Sequence, residues 1–96
     1  MTARETWKAF ERKVAHFFGG ERTPLSGGNS KITRADVIHD NLFIECKYRK
    51  TFAVLTTWDK AKEMAEKEGK TPVLAIKRAN EDGWFIIIHC DDFSKL

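Results

Sequence analysis

The chain has 96 residues, of which 42% are hydrophobic and 32% are charged, a balance typical of a globular protein. This composition excludes a disordered chain, a collagen and a disulfide scaffold. We expect a single domain, residues 1–96, that buries roughly 65% of the surface exposed on unfolding. The longest apolar run, Trp84–Ile88, is too short to cross a bilayer, and the first residues do not resemble a signal peptide. We therefore expect a cytoplasmic protein with no membrane partner.

The positive charge of the chain is concentrated in one stretch. Six basic and three acidic residues lie between Arg22 and Lys50, whereas the rest of the chain carries equal numbers of each sign. Such clustering favours a surface that faces a polyanion, although a solvated basic face would have the same composition. The two cysteines, Cys46 and Cys90, lack the CxxC spacing of a metal or redox site and are expected to be reduced thiols.

The N-terminal part predicts a helix followed by a short edge strand. Thr2 and Glu5 have the spacing of a capping box, and Gly19-Gly20 is expected to end the helix. A short edge strand is expected near Thr23. The apolar side of the helix has helical spacing and consists of Trp7, Phe10, Val14 and Phe17/Phe18.

Two further strands, Arg34–His39 and Leu42–Tyr48, are predicted to form a hairpin around Asp40-Asn41. With a two-residue turn, Asp36 lies directly opposite Glu45, and their Cβ atoms are roughly 5 Å apart. One face of this hairpin then carries Arg34, Asp36, Phe43, Glu45 and Lys47, and the other carries Ala35, Val37, Leu42, Ile44 and Cys46. A three-residue turn would break this register.

The C-terminal half predicts a helix and two strands. Thr56 and Asp59 have capping-box spacing, and Gly69 is expected to end the helix. Strands are predicted over Val73–Lys77 and Trp84–His89. The resulting αβββαββ order predicts a mixed α/β fold in which helices flank a central mixed sheet.

The facing carboxylates of Asp36 and Glu45 predict a metal site. Two carboxylates so placed repel each other, and a divalent cation such as Mg²⁺ or Mn²⁺ turns that repulsion into a binding site. Glu-x-Lys also occurs at 11–13 and 68–70, but only the copy at 45–47 lies in an apolar strand with an acid opposite. Glu11 lies beside the apolar face of the first helix, which is a costly position for a carboxylate without a partner.

These residues resemble the PD-(D/E)XK nuclease superfamily, and within it most of all the archaeal-type Holliday junction resolvases and their small phage relatives. The resemblance spans nearly the whole chain and implies a restriction-endonuclease-like core in a prokaryotic or phage-infected cell. Residue 35 is Ala where the superfamily name has Pro, and the chain is shorter than most resolvases. The matching segments are Phe10-Glu11-Arg12, Leu25–Ser30, Ala35-Asp36-Val37, Leu42–Lys47 and Lys70–Ile76.

The resemblance implies a role for each matching residue. Asp36, Glu45 and the backbone carbonyl of Cys46 would hold Mg²⁺, for which Mn²⁺ is expected to substitute. Lys47 would orient or help to deprotonate the attacking water. Glu11 would reach the metal directly or through water, or else is a surface glutamate that pairs with a neighbour such as Lys8.

A phosphate-contacting set accompanies these residues. Ser26 matches the loop serine that such resolvases place beside the phosphate, although it is equally typical of a turn. The remaining candidates for contacts to the DNA backbone are Arg22, Asn29, Ser30, Lys31, Arg34, Arg49 and Lys50.

Together these features predict a Mg²⁺-dependent DNA endonuclease that cuts four-way or other branched DNA as a homodimer, because symmetric nicking requires two sites related by a two-fold axis. A nickase or a repair or flap nuclease of the same fold, a non-catalytic nucleic-acid-binding module and a protein-interaction domain remain alternatives. The glycines match neither GxGxxG nor a P-loop, so no nucleotide cofactor is expected. His39, His89, Cys46 and Cys90 lack the spacing of a zinc site.

Overall fold

The computed structural model describes residues 6–24, 32–49 and 53–96. Within these ranges the elements follow the predicted αβββαββ order, and a 3-10 helix that the sequence did not predict closes the chain. None of the described helices is long and apolar enough to cross a membrane. The elements are α1 (Trp7–Phe18), β1 (Glu21–Arg22), β2 (Val37–Ile38), β3 (Leu42–Arg49), α2 (Val54–Glu68), β4 (Thr71–Arg78), β5 (Phe85–Ile87) and the 3-10 helix Cys90–Lys95.

The five strands form one mixed sheet in the order β1-β2-β3-β4-β5. Of these five strands only β3, at the centre, and its neighbour β4 are parallel to each other, and α2 connects them. Alternate residues of a strand point to opposite faces of the sheet. On one face Leu42, Ile44 and Cys46 pack with α1, and on the other Phe43 packs with α2. The sheet is therefore flanked by helices, as predicted.

Local capping sets the bounds of α1. The Thr6 side chain accepts a hydrogen bond from the backbone N–H of Ala9, which fixes the first turn. The predicted capping box, Thr2 with Glu5, lies outside the described residues. Gly19 ends the helix in the left-handed conformation (φ 70°), as the sequence predicts. A Cβ on Gly20 would lie 2.3 Å from the Ile38 carbonyl oxygen, so only glycine lets α1 turn this closely onto the sheet.

The start of α2 differs from the prediction. The helix begins at Val54, and its N-cap residue, Ala53, has no side chain that can cap the first turn. The predicted capping box of Thr56 and Asp59 is therefore wrong, because both residues already lie inside the helix. Gly69 ends α2 in the left-handed conformation, as predicted.

The hairpin keeps the predicted register with a different turn. Val37 pairs with Ile44, which is the alignment that brings Asp36 opposite Glu45. Neither Asp40 nor Asn41 has a positive φ, so the turn is not of the primed type that the sequence suggested. Instead, Nδ1 of His39 accepts hydrogen bonds from the backbone N–H groups of Asn41 and Leu42.

The first strand of the hairpin is shorter than predicted because α2 holds the residues before it. The Glu68 carboxylate accepts hydrogen bonds from the Thr33 hydroxyl (2.6 Å) and from the backbone N–H of Arg34 (2.9 Å). The backbone N–H of Ala35 donates to the Thr33 hydroxyl oxygen. Ala35 consequently packs with Phe43 on the α2 face, not beside Val37 as predicted.

Replacing Glu68 with alanine should lower the free energy of unfolding by about 1–3 kcal/mol, because the buried Thr33 hydroxyl and the Arg34 N–H lose a charged acceptor. Urea denaturation measures this change. Glu63→Ala is the matched control, since within residues 6–24, 32–49 and 53–96 Glu63 forms only an exposed ion pair, with Lys67; the substitution should cost at most about 0.5 kcal/mol. Equal losses in the two variants would show that Glu68 does not anchor this segment.

Candidate metal and active site

Backbone hydrogen bonds on both sides fix Asp36 at the point where the chain enters β2. Its N–H donates to the Ile44 carbonyl (3.1 Å), and its carbonyl accepts from the Thr23 N–H (2.9 Å). Oδ2 of its carboxylate accepts from the Cys46 N–H at 2.8 Å. The side chain of Asp36 thus takes the place of a strand carbonyl and is held against β3.

The Asp36 carboxyl group contacts the carboxyl groups of both Glu45 and Glu11. Burial is the largest cause that raises the pKa of Glu45, to about 9, and contact with Asp36 adds to it. Burial and the charge of Asp36 likewise raise the pKa of Glu11. The nearby Lys47 ammonium opposes the shift of Glu45. Four of the predicted catalytic residues, which come from α1, β3 and the start of β2, therefore meet in one site.

Glu11 has a cationic partner that the sequence did not predict. Its Oε1 lies 2.8 Å from Nε of Arg22, and both side chains are largely buried. The Arg22 guanidinium also lies over the Trp7 ring, 5.7 Å from its centroid. In this arrangement Arg22 orients a carboxylate of the site. Lys8, the partner considered from the sequence, lies over the Trp7 ring as well.

Replacing Arg22 with glutamine should lower the free energy of unfolding by about 1.5–3 kcal/mol, because the partly buried Glu11 carboxylate loses its cation while it still faces Asp36. The double variant Arg22→Gln, Glu11→Gln should recover part of that loss, and urea denaturation of the full cycle gives the coupling energy. Arg12→Gln, on the exposed side of the same helix, is the control. Additive effects of the two substitutions would contradict the pairing.

The converging carboxylates fit a hard divalent cation. Glu11, Asp36 and Glu45 offer oxygen ligands, which Mg²⁺ and Mn²⁺ prefer, and their mutual repulsion is a cost that a cation would offset. The Cys46 thiol is a poor ligand, because burial, and then the charge of Asp36, raises its pKa and keeps it protonated. The donor set thus fits Mg²⁺ better than zinc.

The predicted DNA contacts are distributed unevenly. Arg49 shares a cleft with Glu45 and Lys47 near the start of α2. Arg34 lies at the opposite end of α2, in a cavity with Met64 and Glu68, and so it does not lie beside Lys47 as the two-residue hairpin register implied. Five predicted residues lie outside the described residues, namely Ser26, Asn29, Ser30, Lys31 and Lys50.

Sequence reasoning missed the part of this cleft that α2 contributes. Thr56, Thr57 and Lys60 line it opposite Arg49. The signal was the alternation of Glu45, Lys47 and Arg49 along one strand, which directs all three side chains to the face that a following helix covers. The sequence pattern predicted Thr56 as the cap of the helix, and so it did not place Thr56 and Thr57 in the cleft.

A second group of metal-ligating atoms lies apart from this site. Ligand atoms of His89, Cys90 and Asp91 lie within 4.8 Å of one another, and all three residues are exposed. Nδ1 of His89 already accepts the backbone N–H of Asp91. This group therefore lacks the burial of the carboxylate site.

Comparison of the chain with protein-family models, with curated proteins and with solved structures finds no match.

Proposed function

We propose that this chain is a Mg²⁺-dependent DNA endonuclease of the PD-(D/E)XK type, with a restriction-endonuclease-like core, that cuts branched DNA. The observation that carries the proposal is the convergence of three carboxylates and one lysine at the edge of β3. A sheet selected only for stability would avoid placing Glu11 and Glu45 beside Asp36, whose charge raises the pKa of both. A cation site beside a lysine explains why they are there.

In the proposed reaction, water attacks a phosphodiester: a new P–O bond forms, the bond to one sugar oxygen breaks, and that oxygen leaves as a hydroxyl. Asp36, Glu45 and the Cys46 carbonyl would hold Mg²⁺, with Glu11 contributing directly or through water. When bound, the ion supplies a lowered pKa for the attacking water and stabilises charge on the phosphate.

Two cationic side chains have the other proposed roles. Nζ of Lys47 donates hydrogen bonds to the attacking water and to a phosphate oxygen, where negative charge develops in the transition state. Arg22 keeps the Glu11 carboxylate oriented toward Asp36 through its 2.8 Å contact.

The proposed substrate, a four-way junction, comes from the resemblance to the resolvases and implies a homodimer. Two nicks placed symmetrically in a four-way junction require two active sites related by a two-fold axis, and a homodimer supplies them. In this proposal the geometry of the dimer reads the shape of the junction.

Cleavage of a labelled four-way junction beside a linear duplex of the same sequence tests the function. Paired nicks in the junction, present with Mg²⁺ or Mn²⁺ and absent with EDTA, are the expected result. Cleavage of both substrates would support nuclease activity but contradict specificity for the junction. Cleavage of flaps or nicked duplex alone would favour a repair nuclease. Salt-sensitive binding without cleavage in either metal would overturn the enzyme and support a binding module.

A further inference from the structure

A cleft of about 200 Å³ opens between the C-terminal half of β3 and the first turns of α2. It begins at Glu45 and Lys47 of the proposed site and continues past them. Its other lining residues are Arg49, Ala53, Thr56, Thr57 and Lys60. The cleft therefore joins the proposed catalytic residues to a region that the reaction itself does not use.

The far part of this cleft is cationic and polar. Arg49 and Lys60 are both exposed, and neither forms an ion pair with any residue in the described parts of the chain. Thr56 and Thr57 line the same cleft, and their hydroxyl groups can donate hydrogen bonds. Among the described residues that line the cleft, Glu45 is the one carboxylate, and it belongs to the proposed metal site.

The spacing of these groups suits a nucleic-acid backbone. Lys47 and Arg49 are two residues apart on the same side of β3, which separates their Cα atoms by about 6.6 Å. That separation is similar to the distance between successive phosphates along one strand. If Lys47 contacts the scissile phosphate, Arg49 lies where the next phosphate of the same strand would be.

We propose that Arg49, Lys60, Thr56 and Thr57 form a binding subsite for the phosphate adjacent to the scissile one. This inference rests on the proposed function for the identity of the scissile phosphate, but the subsite itself needs only DNA. A phosphate bound at this subsite would place the cut strand along the C-terminal half of β3 and over the start of α2. Lys60, outside the charged stretch between Arg22 and Lys50, thereby becomes part of the DNA-binding surface.

Lys60→Ala and its matched control Lys62→Ala test the subsite. Both lysines are exposed on α2, but Lys62 lines a different cavity on the other flank of the helix. Binding of a labelled four-way junction is measured in EDTA from low to moderate salt, so that no cleavage is needed. Lys60→Ala should weaken binding about three- to tenfold and reduce the slope of log K against log salt by about 0.9, and Lys62→Ala should do neither.

A substrate series locates the phosphate. Each phosphate near the cut is replaced in turn by an uncharged methylphosphonate, and binding by the wild type and by Lys60→Ala is compared. The proposal predicts one position, next to the cut, where the replacement weakens wild-type binding more than it weakens binding by Lys60→Ala, which keeps only the contacts from Arg49, Thr56 and Thr57. Equal effects of all replacements on both proteins, or equal binding by the two lysine variants, would overturn the subsite even if cleavage is observed. If Lys60→Ala binds DNA more weakly than Lys62→Ala but no cleavage is observed, the proposed nuclease activity is contradicted and the phosphate-binding role of the cleft is supported.

Discussion

Glu45→Gln should abolish metal-dependent DNA cleavage and, at the same time, raise the stability of the metal-free protein at pH 8 by about 1–3 kcal/mol. Glutamine keeps the shape of the side chain and can donate a hydrogen bond to Asp36, as a protonated Glu45 would. It removes the negative charge that burial and Asp36 make costly. A glutamate with a purely structural role would show the opposite change in stability.

The stability that Glu45→Gln gains over the wild type should increase as pH rises. The pKa of Glu45 is raised from 4.5 to about 9 in the folded protein, so the folded state binds more protons than the unfolded state between these values. The stability of the wild type in EDTA therefore falls as pH rises through this window, and the glutamine variant lacks this contribution. By urea denaturation, the free energies of unfolding of Glu45→Gln and the wild type should differ little at pH 4.5 and much more at pH 8. A gain that is the same at both pH values would contradict the account.

Lys47→Met should lower the cleavage rate by about 10²–10⁴-fold while DNA binding changes only a few-fold. Methionine keeps most of the apolar stem of lysine but removes the ammonium group that faces Glu45 and the proposed phosphate. The effect should appear in single-turnover cleavage of the junction at saturating enzyme, where binding no longer limits the rate.

Lys62→Met, on the other flank of α2, is the control and should cleave at the wild-type rate. Metal binding provides a second check, since loss of a positive charge beside Glu45 should not weaken the affinity for Mn²⁺. A Lys47→Met variant that cleaves normally, or that loses cleavage only because it no longer binds DNA, would remove Lys47 from the proposed chemistry.

The convergence of Asp36 and Glu45 was predictable because it depends on strand periodicity. Alternation along β3 and a register set by the hairpin bring the two carboxylates together, and Val37 pairs with Ile44 as that register requires. The turn itself was not predictable in detail. The ring of His39 satisfies the N–H groups of the turn, a side-chain solution that no local turn pattern indicates.

Contacts between distant parts of the chain account for the other differences. Glu68 is 34 residues from Arg34 in sequence, yet it holds the segment before β2 and shortens that strand. Arg22 is basic and lies in the charged stretch, so composition favours a DNA contact, whereas the folded chain pairs it with Glu11. Neither contact can be predicted from the periodicity of the sequence, because each depends on how the helices pack against the strands.

Calorimetric titration of Mn²⁺ into the metal-free protein tests the central claim most directly, since every proposed step depends on a cation at Glu11, Asp36 and Glu45. The informative variant is Asp36→Asn, whose amide oxygen can still accept the Cys46 N–H, and Asp59→Asn on the exposed side of α2 is its control. We predict saturable binding by the wild type and by Asp59→Asn, with at least about tenfold weaker binding by Asp36→Asn. Equal affinities for all three proteins, or no binding by the wild type at millimolar Mn²⁺, would contradict the metal site.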